Sequence, residues 1–376
     1  MKINKLWNNT IPLIITTINE KDQKYINDNL KRNSLLSSTN LKVSKFKNLT
    51  SLNLTFNKII IDESVKQERN VLLGSQNLKV TNLTNLNLSY NNKITNKSVK
   101  QERNALLGSQ NLKVTNLTNL NLNDNYKITD ESVKNLANLT SINLNNNEII
   151  TDKSVEKLTN LTSLELSYNK IITNESVKEE RNALLGSQNL KVTNLTNLNL
   201  HNNDKITDES VKILINLISL NLTKNNIITD ESVKNLINLT SLNLNVNFNI
   251  TDKSVKNLIN LTYLDLSNNS IITDESVKNL TNLTSLNLTN NDNITDKSVK
   301  NLINLTNLNL HNNDKITDES VKNLTNLTSL NLISNYIITD ESVKKLTNLT
   351  SLILYYNNKI TNKLINSISD RVNIIR

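Results

Sequence analysis

The stretch "LTSLNLTNNDNITDKSVKNLIN", residues 283–304, decides the fold of this chain. Leu283, Leu286 and Leu288 open it, and the last two of these alternate with a polar residue. Alternation with a period of two is typical of a β-strand that buries one face and exposes the other. A strand this short cannot bury its leucines alone. A neighbouring segment with the same pattern therefore has to cover them.

The pattern Leu-x-x-Leu-x-Leu-x-x-Asn recurs thirteen times, with one isoleucine at a leucine position, Ile142. Successive copies start 22 residues apart, except for three intervals of 34 residues, and no linker interrupts them. Stacking such repeats turns each leucine position into a column and builds one continuous apolar stripe. A solenoid needs fewer apolar residues than a globule, which accounts for 36% hydrophobic and 3% aromatic residues. The copies start at leucines 49, 83, 117, 139, 161, 195, 217, 239, 261, 283, 305, 327 and 349.

An asparagine closes every repeat, from Asn57 in the first to Asn357 in the last. The chain turns off its strand at this point and leaves backbone N–H and C=O groups that need partners. An inward-facing amide both donates and accepts hydrogen bonds. We therefore predict a structural ladder of asparagines that links each repeat to its neighbour.

The second half of each repeat carries "ITDESVKNL" or a close variant, as in residues 294–302. A threonine or aspartate before apolar residues three apart is typical of a helix start, with the acid near the positive end of the helix dipole. The phrase predicts one to two turns of helix. Its charge alternates in sign between some neighbouring repeats, as at Glu275 and Lys297, which predicts weak ion pairs between repeats.

The three longer repeats start at 49, 83 and 161 and contain an inserted block, at 67–80, 101–114 and 179–192. Each block predicts a longer helix that stops at one of the three glycines of the chain, on the convex side. The leader at 32–43 resembles this block without its glycine. The predicted organisation is a partly helical N-terminal cap with a degenerate repeat at 1–48, thirteen repeats at 49–358 and a C-terminal cap at 359–376.

The repeat resembles the leucine-rich repeat superfamily over residues 49–358. Its 22-residue length is similar to the repeats of internalins, and its "ITD" phrase resembles the repeats of F-box leucine-rich proteins. The resemblance implies an α/β solenoid, a leucine-rich repeat horseshoe or curved rod, with a parallel β-sheet on the concave side and short helices on the convex side. It also implies that the chain binds other proteins.

Composition and spacing argue against catalysis. The chain has no cysteine, which excludes disulfides, thiolate metal sites and cysteine nucleophiles. His201 and His311 occupy equivalent positions five repeats apart, on the order of 24 Å at strand spacing, so they cannot share a metal or a proton. Glu165 and Tyr168 lie one repeat before His201, but no further group completes a catalytic set there. We expect no enzyme activity, no cofactor and no metal.

The net charge of +9 comes from the two ends of the chain. Residues 49–358 carry 30 basic and 30 acidic residues. A nucleic-acid binder needs a continuous basic track, so we expect no nucleic acid partner for the repeats. No apolar run reaches the length of a membrane span. The apolar stretch 11–18 lacks a cleavage site, and we expect a cytoplasmic protein, with secretion as the alternative.

The residues between the strand leucines form an exposed strip in which asparagine predominates. Thirteen strands at about 4.8 Å make it on the order of 60 Å long, enough for a protein partner. Charged, aromatic and histidine side chains stand out against this background, and aromatic residues are frequent interface anchors. The candidate protein-binding residues are Tyr90, Asp124, Glu165, Tyr168, His201, Lys224, Tyr263, Asp265, His311 and Tyr355, and Tyr356 stands out beside the last of them.

The sequence favours a monomeric, non-enzymatic scaffold that binds a protein ligand on its concave face. Two alternatives stay open. In the first, an F-box-like adaptor, residues 1–48 would recruit a ubiquitin ligase subunit and the repeats would select the substrate, although the segment 10–30 matches an F-box poorly. The second is a secreted or surface-displayed leucine-rich repeat binder.

Overall fold

The computed structural model describes residues 50–56, 83–96, 116–177 and 194–376, together with the backbone of a two-residue strand at Thr17–Ile18. The chain forms two compact units, unit 1 at Met1–Leu195 and unit 2 at Thr196–Arg376. The rest of the N-terminal cap, with most of its F-box-like segment, and the three inserted blocks lie outside the described residues.

Unit 1 contains a parallel sheet in which each described strand pairs with the preceding one, so that Leu86 lies in register with Leu52 and Leu120. Its strands are β1 (Thr17–Ile18), β2 (Ser51–Asn53), β3 (Asn85–Asn87), β4 (Asn119–Asn121), β5 (Ser141–Asn143) and β6 (Ser163–Glu165). Its described helices are α1 (Asp130–Val133), α2 (Asp152–Val155) and α3 (Asn174–Val177).

Unit 2 repeats this arrangement, with Leu264 in register with Leu242 and Leu286. Its strands are β7 (Asn197–Asn199), β8 (Ser219–Asn221), β9 (Ser241–Asn243), β10 (Tyr263–Asp265), β11 (Ser285–Asn287), β12 (Asn307–Asn309), β13 (Ser329–Asn331), β14 (Ser351–Ile353) and β15 (Asn373–Ile375). Its helices are α4 (Asp208–Val211), α5 (Asp230–Val233), α6 (Asp252–Val255), α7 (Asp274–Val277), α8 (Asp296–Val299), α9 (Asp318–Val321), α10 (Asp340–Val343) and α11 (Asn362–Ile368). The α/β solenoid expected from the sequence is confirmed within each unit.

The core consists of leucine, isoleucine and valine columns. In one repeat of unit 2, six apolar side chains are at most 1% exposed: Leu283, Leu286, Leu288, Ile294, Val299 and Leu302. Each such side chain contributes about 1.5–3 kcal/mol when it leaves water. Because the columns run from repeat to repeat, this stabilisation belongs to neighbouring repeats together.

The asparagine ladder is confirmed. Asn291 donates through Nδ2 to the carbonyl oxygens of Leu266 at 3.0 Å and Asn269 at 2.8 Å, both in the preceding repeat. Its Oδ1 accepts the backbone N–H groups of Asn293 at 3.1 Å and Ile294 at 3.0 Å. The described ladder asparagines from position 91 to 335 are at most 2% exposed. One amide thus satisfies four backbone groups that the turn would otherwise leave buried and unpaired.

A second ladder, which the sequence interpretation missed, joins the helix starts. Asp274 accepts the N–H of Thr295 at 3.0 Å through Oδ1 and its hydroxyl at 2.6 Å through Oδ2. The buried Ser298 hydroxyl donates to the same carboxylate at 2.5 Å. The Thr295 hydroxyl oxygen in turn accepts the N–H of Lys297 at 3.2 Å and caps α8. The "TDxS" phrase therefore serves both the helix cap and the contact between repeats.

The ion pairs predicted between neighbouring repeats are wrong for Glu275, which pairs within its own helical turn. Its Oε2 lies 2.9 Å from Nζ of Lys278, because side chains three residues apart are neighbours on a helix. These pairs are exposed and contribute roughly 0.2–0.5 kcal/mol each. The same pairing occurs at Glu231 with Lys234, Glu319 with Lys322 and Glu341 with Lys344.

Candidate functional site

The chain leaves each strand through a four-residue segment that we call the exit turn, as in residues 289–292, which follow Leu288. The third residue of every exit turn is the ladder asparagine. The other three vary widely: "TNND" at 289–292, "SYNN" at 89–92, "NDNY" at 123–126 and "NVNF" at 245–248. Much of the variation between the repeats is therefore concentrated where the chain leaves each strand.

The second residue of each exit turn has a left-handed backbone conformation in all thirteen repeats. Its φ lies between 48° and 56°, none of these residues is glycine, and five are asparagine, which tolerates this region best among the residues present. The bend ends the strand and lets the ladder asparagine turn inward. The thirteen are Phe56, Tyr90, Asp124, Asn146, Tyr168, Asn202, Lys224, Val246, Asn268, Asn290, Asn312, Ser334 and Tyr356.

The asparagines that end the strands fix these turns. Oδ1 of Asn287 accepts the N–H of Thr289 at 3.1 Å, and Oδ1 of Asn309 accepts the N–H of His311 at 3.0 Å. Asparagine side chains commonly hold their own backbone two residues onward in this way. The asparagine background of the exposed strip therefore has a structural role, which the sequence interpretation also missed.

Asp265 takes the place of such an asparagine, and the expectation that it projects as a contact residue is wrong. It is only 8% exposed. Its Oδ1 accepts the N–H of Ser267 at 2.9 Å and the Ser267 hydroxyl at 2.5 Å, while Oδ2 accepts Nδ2 of Asn287 at 3.2 Å. We therefore correct Asp265 from a contact residue to one that fixes its turn. Burial, followed by the charge of Asp265, raises the pKa of the neighbouring Tyr263.

All nine aromatic residues in the described part of the chain are exposed, by 37% to 82% of their surface, whereas the core is aliphatic. Tyr263 begins β10, and the other eight lie on exit turns. Aromatic rings normally supply buried area in cores and interfaces. Here the rings are instead exposed, and eight of the nine lie where the chain leaves a strand. The eight exit-turn aromatics are Phe56, Tyr90, Tyr126 and Tyr168 in unit 1, and Phe248, Tyr336, Tyr355 and Tyr356 in unit 2.

Unit 1 gathers its exit-turn side chains into an aromatic–acid cluster of Phe56, Tyr90, Asp124, Tyr126 and Glu148. The rings of Phe56 and Tyr90 stack with centroids 4.6 Å apart and planes 15° apart. The Tyr126 hydroxyl donates to Oδ1 of Asp124 at 3.4 Å. A hydrogen bond to Asp124, and then its charge, raises the pKa of Tyr90. Burial, and then the charge of Asp124, raises the pKa of Tyr126, with a smaller contribution from Glu148.

Unit 2 has an open polar cavity of about 300 Å³ between exit turns, in which Tyr336 is the one ring. Beside it, Nζ of Lys315 lies 3.1 Å from Oδ1 of Asp314, and this contact raises the pKa of Lys315. The described residues contain no group of three or more metal-ligating side chains. The cavity is lined by Asn290, Asp292, Asn312, Asn313, Asp314, Ser334 and Tyr336.

Of the candidate residues, the structure brings together Tyr90 with Asp124, Tyr263 with Asp265, and His201 with Lys224. Burial, and then the positive charge of Lys224, lowers the pKa of His201. His201 and His311 each start an exit turn, the first after β7 and the second after β12, five repeats further along the chain. Glu165 ends β6, and Tyr168 and Tyr355 are 43% and 45% exposed on exit turns.

Sequence reasoning missed four exposed aromatics, because they were not compared by their place in the exit turn. Phe56 occupies its second position, and the other three occupy its fourth. An alignment of the repeats on the ladder asparagine reveals all four: Phe56, Tyr126, Phe248 and Tyr336. Among the residues described, no helix has the length and apolarity of a bilayer span.

Comparison with known proteins agrees with this architecture. The family description "Leucine Rich repeat" matches nine segments that together make up more than half of the chain. A search of curated proteins finds no matching sequence. The matched segments are residues 47–66, 80–100, 114–137, 135–159, 157–179, 214–237, 257–281, 279–303 and 323–347.

Two solved structures with TM-scores above 0.5 share the fold, and a third is similar with a lower score. The internalin InlF of Listeria monocytogenes is 25% identical, with a TM-score of 0.51, over 89% of this chain and 82% of the internalin chain. TLR13 in its complex with ssRNA13 is 24% identical, with a TM-score of 0.53, over 85% of this chain and 48% of the TLR13 chain. The Leptospira interrogans leucine-rich-repeat protein LIC12759 is 22% identical, with a TM-score of 0.49, over 100% of this chain and 98% of the other. With its repeated strand, asparagine ladder and family match, the chain belongs to the leucine-rich-repeat family.

Proposed function

We propose that this chain is a non-enzymatic binding protein that holds a protein ligand against the exposed face of its sheet, with the exit-turn aromatics as anchors. The observation that carries the proposal is that all nine described aromatic residues are exposed and that eight of them lie on exit turns. Leucine-rich-repeat proteins generally act as scaffolds for protein interactions.

The exit turns suit this role because hydrogen bonds hold both of their ends. At the turn 289–292, Asn287 holds the first residue and Asn291 bonds the preceding repeat. A preorganised turn loses little conformational entropy when a partner binds, so more of the contact energy appears as affinity. Rigid aromatic side chains on such turns are effective anchors.

The exposed face is large enough for a stable complex. Unit 2 alone has nine strands, which at about 4.8 Å per strand span on the order of 40 Å. A standard interface needs roughly 800 Å² from each partner. The contact residues that we propose are Tyr90, Asp124, Glu165, Tyr168, His201, Lys224, Tyr263, His311 and Tyr355, together with Phe56, Tyr126, Phe248 and Tyr336.

The proposal contains no catalytic step, since the leucine-rich-repeat fold typically serves as a scaffold. A monomer that acts in the cytoplasm is part of the proposal. Light scattering of the purified chain and fractionation of the native host test these two points. A dimeric mass or recovery from the medium would contradict them.

The experiment that tests the binding surface compares two variants in affinity capture from the native host. In the exit-turn variant, Tyr90, Tyr168, Phe248 and Tyr336 are replaced by alanine. In the control variant, four isoleucines between helices and strands, each 55% or 56% exposed, are replaced by serine: Ile215, Ile237, Ile259 and Ile303.

We expect the exit-turn variant to capture at least tenfold less partner than the wild-type chain, as quantified by mass spectrometry. The control variant should capture as much partner as the wild type. Circular dichroism establishes that both variants are folded. Equal capture by the wild type and the exit-turn variant, or a loss confined to the control, would contradict the proposal.

A further inference from the structure

The aromatic–acid cluster of unit 1 combines exposed rings with one central carboxylate. Phe56, Tyr90 and Tyr126 are 64%, 46% and 51% exposed. The hydroxyl groups of both tyrosines interact with Asp124, Tyr126 through a hydrogen bond of 3.4 Å to Oδ1. One carboxylate is therefore flanked by two phenol groups, and the Phe56 ring extends the aromatic surface by stacking on Tyr90 at 4.6 Å.

The charges beside the two tyrosines of this cluster are negative. Its four exit turns, 55–58, 89–92, 123–126 and 145–148, carry Asp124 and Glu148 against Lys58, and Lys93 and Lys127 follow two of these turns directly. The charges that shift the pKa of Tyr90 and Tyr126 are all negative, and they raise both values. The repeats as a whole have no net charge. The carboxylate of Asp124, between two phenol groups, is thus a local anionic point with aromatic walls, which is complementary to a cation.

The carboxylate at its centre has unused acceptor capacity. Oδ1 of Asp124 accepts hydrogen bonds from Tyr126 and from Nδ2 of Asn146, and the Tyr90 hydroxyl also interacts with this carboxylate. A carboxylate offers about four acceptor positions on its two oxygens. A planar cation that lies against a phenol ring can therefore also hydrogen-bond to Asp124.

We propose that this cluster binds the guanidinium group of an arginine exposed on the protein ligand, an inference that rests on the proposed function. Guanidinium is planar, so it stacks on an aromatic face while one of its N–H groups donates to the acceptor position that remains on the carboxylate. A lysine ammonium pairs with the carboxylate as a point charge but lacks the flat surface for stacking. Arginine is accordingly the side chain that uses every part of the cluster.

The test uses the full chain with 3-fluorotyrosine and three nine-residue peptides of glycine and serine. The peptides carry arginine, lysine or the neutral isostere citrulline at the centre. Titration is followed by ¹⁹F NMR, with the Tyr90 and Tyr126 signals assigned from Tyr90→Phe and Tyr126→Phe. The arginine peptide is expected to shift these two signals and to bind at least tenfold more tightly than the citrulline peptide and more tightly than the lysine peptide.

Two variants locate the binding. Asp124→Asn introduces asparagine, which occupies the same left-handed position in five other repeats, so the turn is expected to fold. This substitution should weaken arginine-peptide binding at least tenfold. Ile237→Ser in unit 2, at a control position outside the exit turns, should leave that binding unchanged. The guanidinium assignment would be overturned if the arginine and citrulline peptides bound equally, or if Asp124→Asn did not weaken binding. It would also be overturned if the two signals did not shift at about 10 mM peptide, a concentration on the order of the Kd of a weak single contact.

The peptide titration and the capture experiment fail independently. Loss of partner capture in the exit-turn variant together with a negative peptide titration would leave the proposed function standing and remove only the arginine. A positive peptide titration with unchanged capture would assign the cation site and contradict the proposed function.

Discussion

Nδ2 of Asn291 donates to the carbonyl oxygen of Asn269, the ladder asparagine of the preceding repeat, at 2.8 Å. This bond makes the ladder continuous, because each amide holds the backbone at the next amide. Asn291 is fully buried. Its replacement therefore leaves backbone groups of two repeats without partners.

We expect Asn291→Ala to lower the free energy of unfolding by about 3 kcal/mol, since four buried backbone groups lose their hydrogen bonds. Urea denaturation followed by circular dichroism measures this loss. Asn301→Ala, the same change at an exposed position, should cost less than about 0.5 kcal/mol. Similar costs at the two positions would show that the ladder does not hold the repeats together.

The helix-start ladder predicts a difference between two substitutions of Asp274. An amide takes the place of this carboxylate in one repeat of the chain. Oδ1 of Asn96 accepts the N–H of Thr129 at 2.9 Å, and Nδ2 of Asn96 donates to the Thr129 hydroxyl oxygen at 2.8 Å. Asp274→Asn should therefore lower the free energy of unfolding by less than about 1 kcal/mol. Asp274→Ala removes the hydrogen bonds to Thr295 and Ser298 and should lower it by about 2 kcal/mol. Thermal unfolding of the two variants measures the difference. An alanine variant as stable as the asparagine variant would refute the role of this ladder.

Val246 has a φ of 51°, a conformation that is unfavourable for a β-branched residue. Asparagine occupies the same place at Asn268 and Asn290. We expect Val246→Asn to raise the free energy of unfolding by about 1 kcal/mol, since the left-handed region costs roughly that amount for ordinary residues. Chemical denaturation measures this increase in the free energy of unfolding. Val255→Asn, the same substitution in the buried core, should instead be strongly destabilised. A destabilised Val246→Asn variant would contradict the backbone assignment.

The contact between Tyr90 and Asp124 predicts a change in titration. The carboxylate disfavours the phenolate, so the pKa of Tyr90 lies above its usual value of 10.0. The stabilisation from this contact is present below pH 10 and is lost as the pH rises through the higher pKa of the folded state. Asp124→Asn should lower the pKa of Tyr90 towards 10.0, which ¹⁹F NMR of the fluorotyrosine signal measures relative to wild type. An unchanged titration would show that the two side chains do not interact.

The leucine columns and the asparagine ladder were predictable because each follows from local chemistry. Leu286 and Leu288 alternate with polar residues, and a buried turn needs a group such as the Asn291 amide that both donates and accepts. The pairing of Asp274 with Thr295 was not predictable, since it joins residues 21 positions apart. Spacing within one repeat gives no information about which side chain of the next repeat faces it.

The candidate site was predicted in part. Tyr90 and Asp124 stood out against the asparagine background, and the structure brings them together. Asp265 stood out for the same reason but is nearly buried, because a carboxylate oxygen can replace an asparagine oxygen as the acceptor in the turn. Phe56 and Tyr126 were missed because their proximity to Tyr90 and Asp124 depends on how consecutive exit turns stack.

Site-specific photo-crosslinking tests the central claim, that ligands bind along the exit turns. The photoreactive residue p-benzoylphenylalanine replaces Tyr168 or Tyr336 on exit turns, or Ile237 or Ile303 between helix and strand as controls. Each variant is irradiated with the purified partner that the wild-type chain captures. We predict crosslinked product from the two exit-turn positions and none from the two control positions. Product from the control positions alone would contradict the claim.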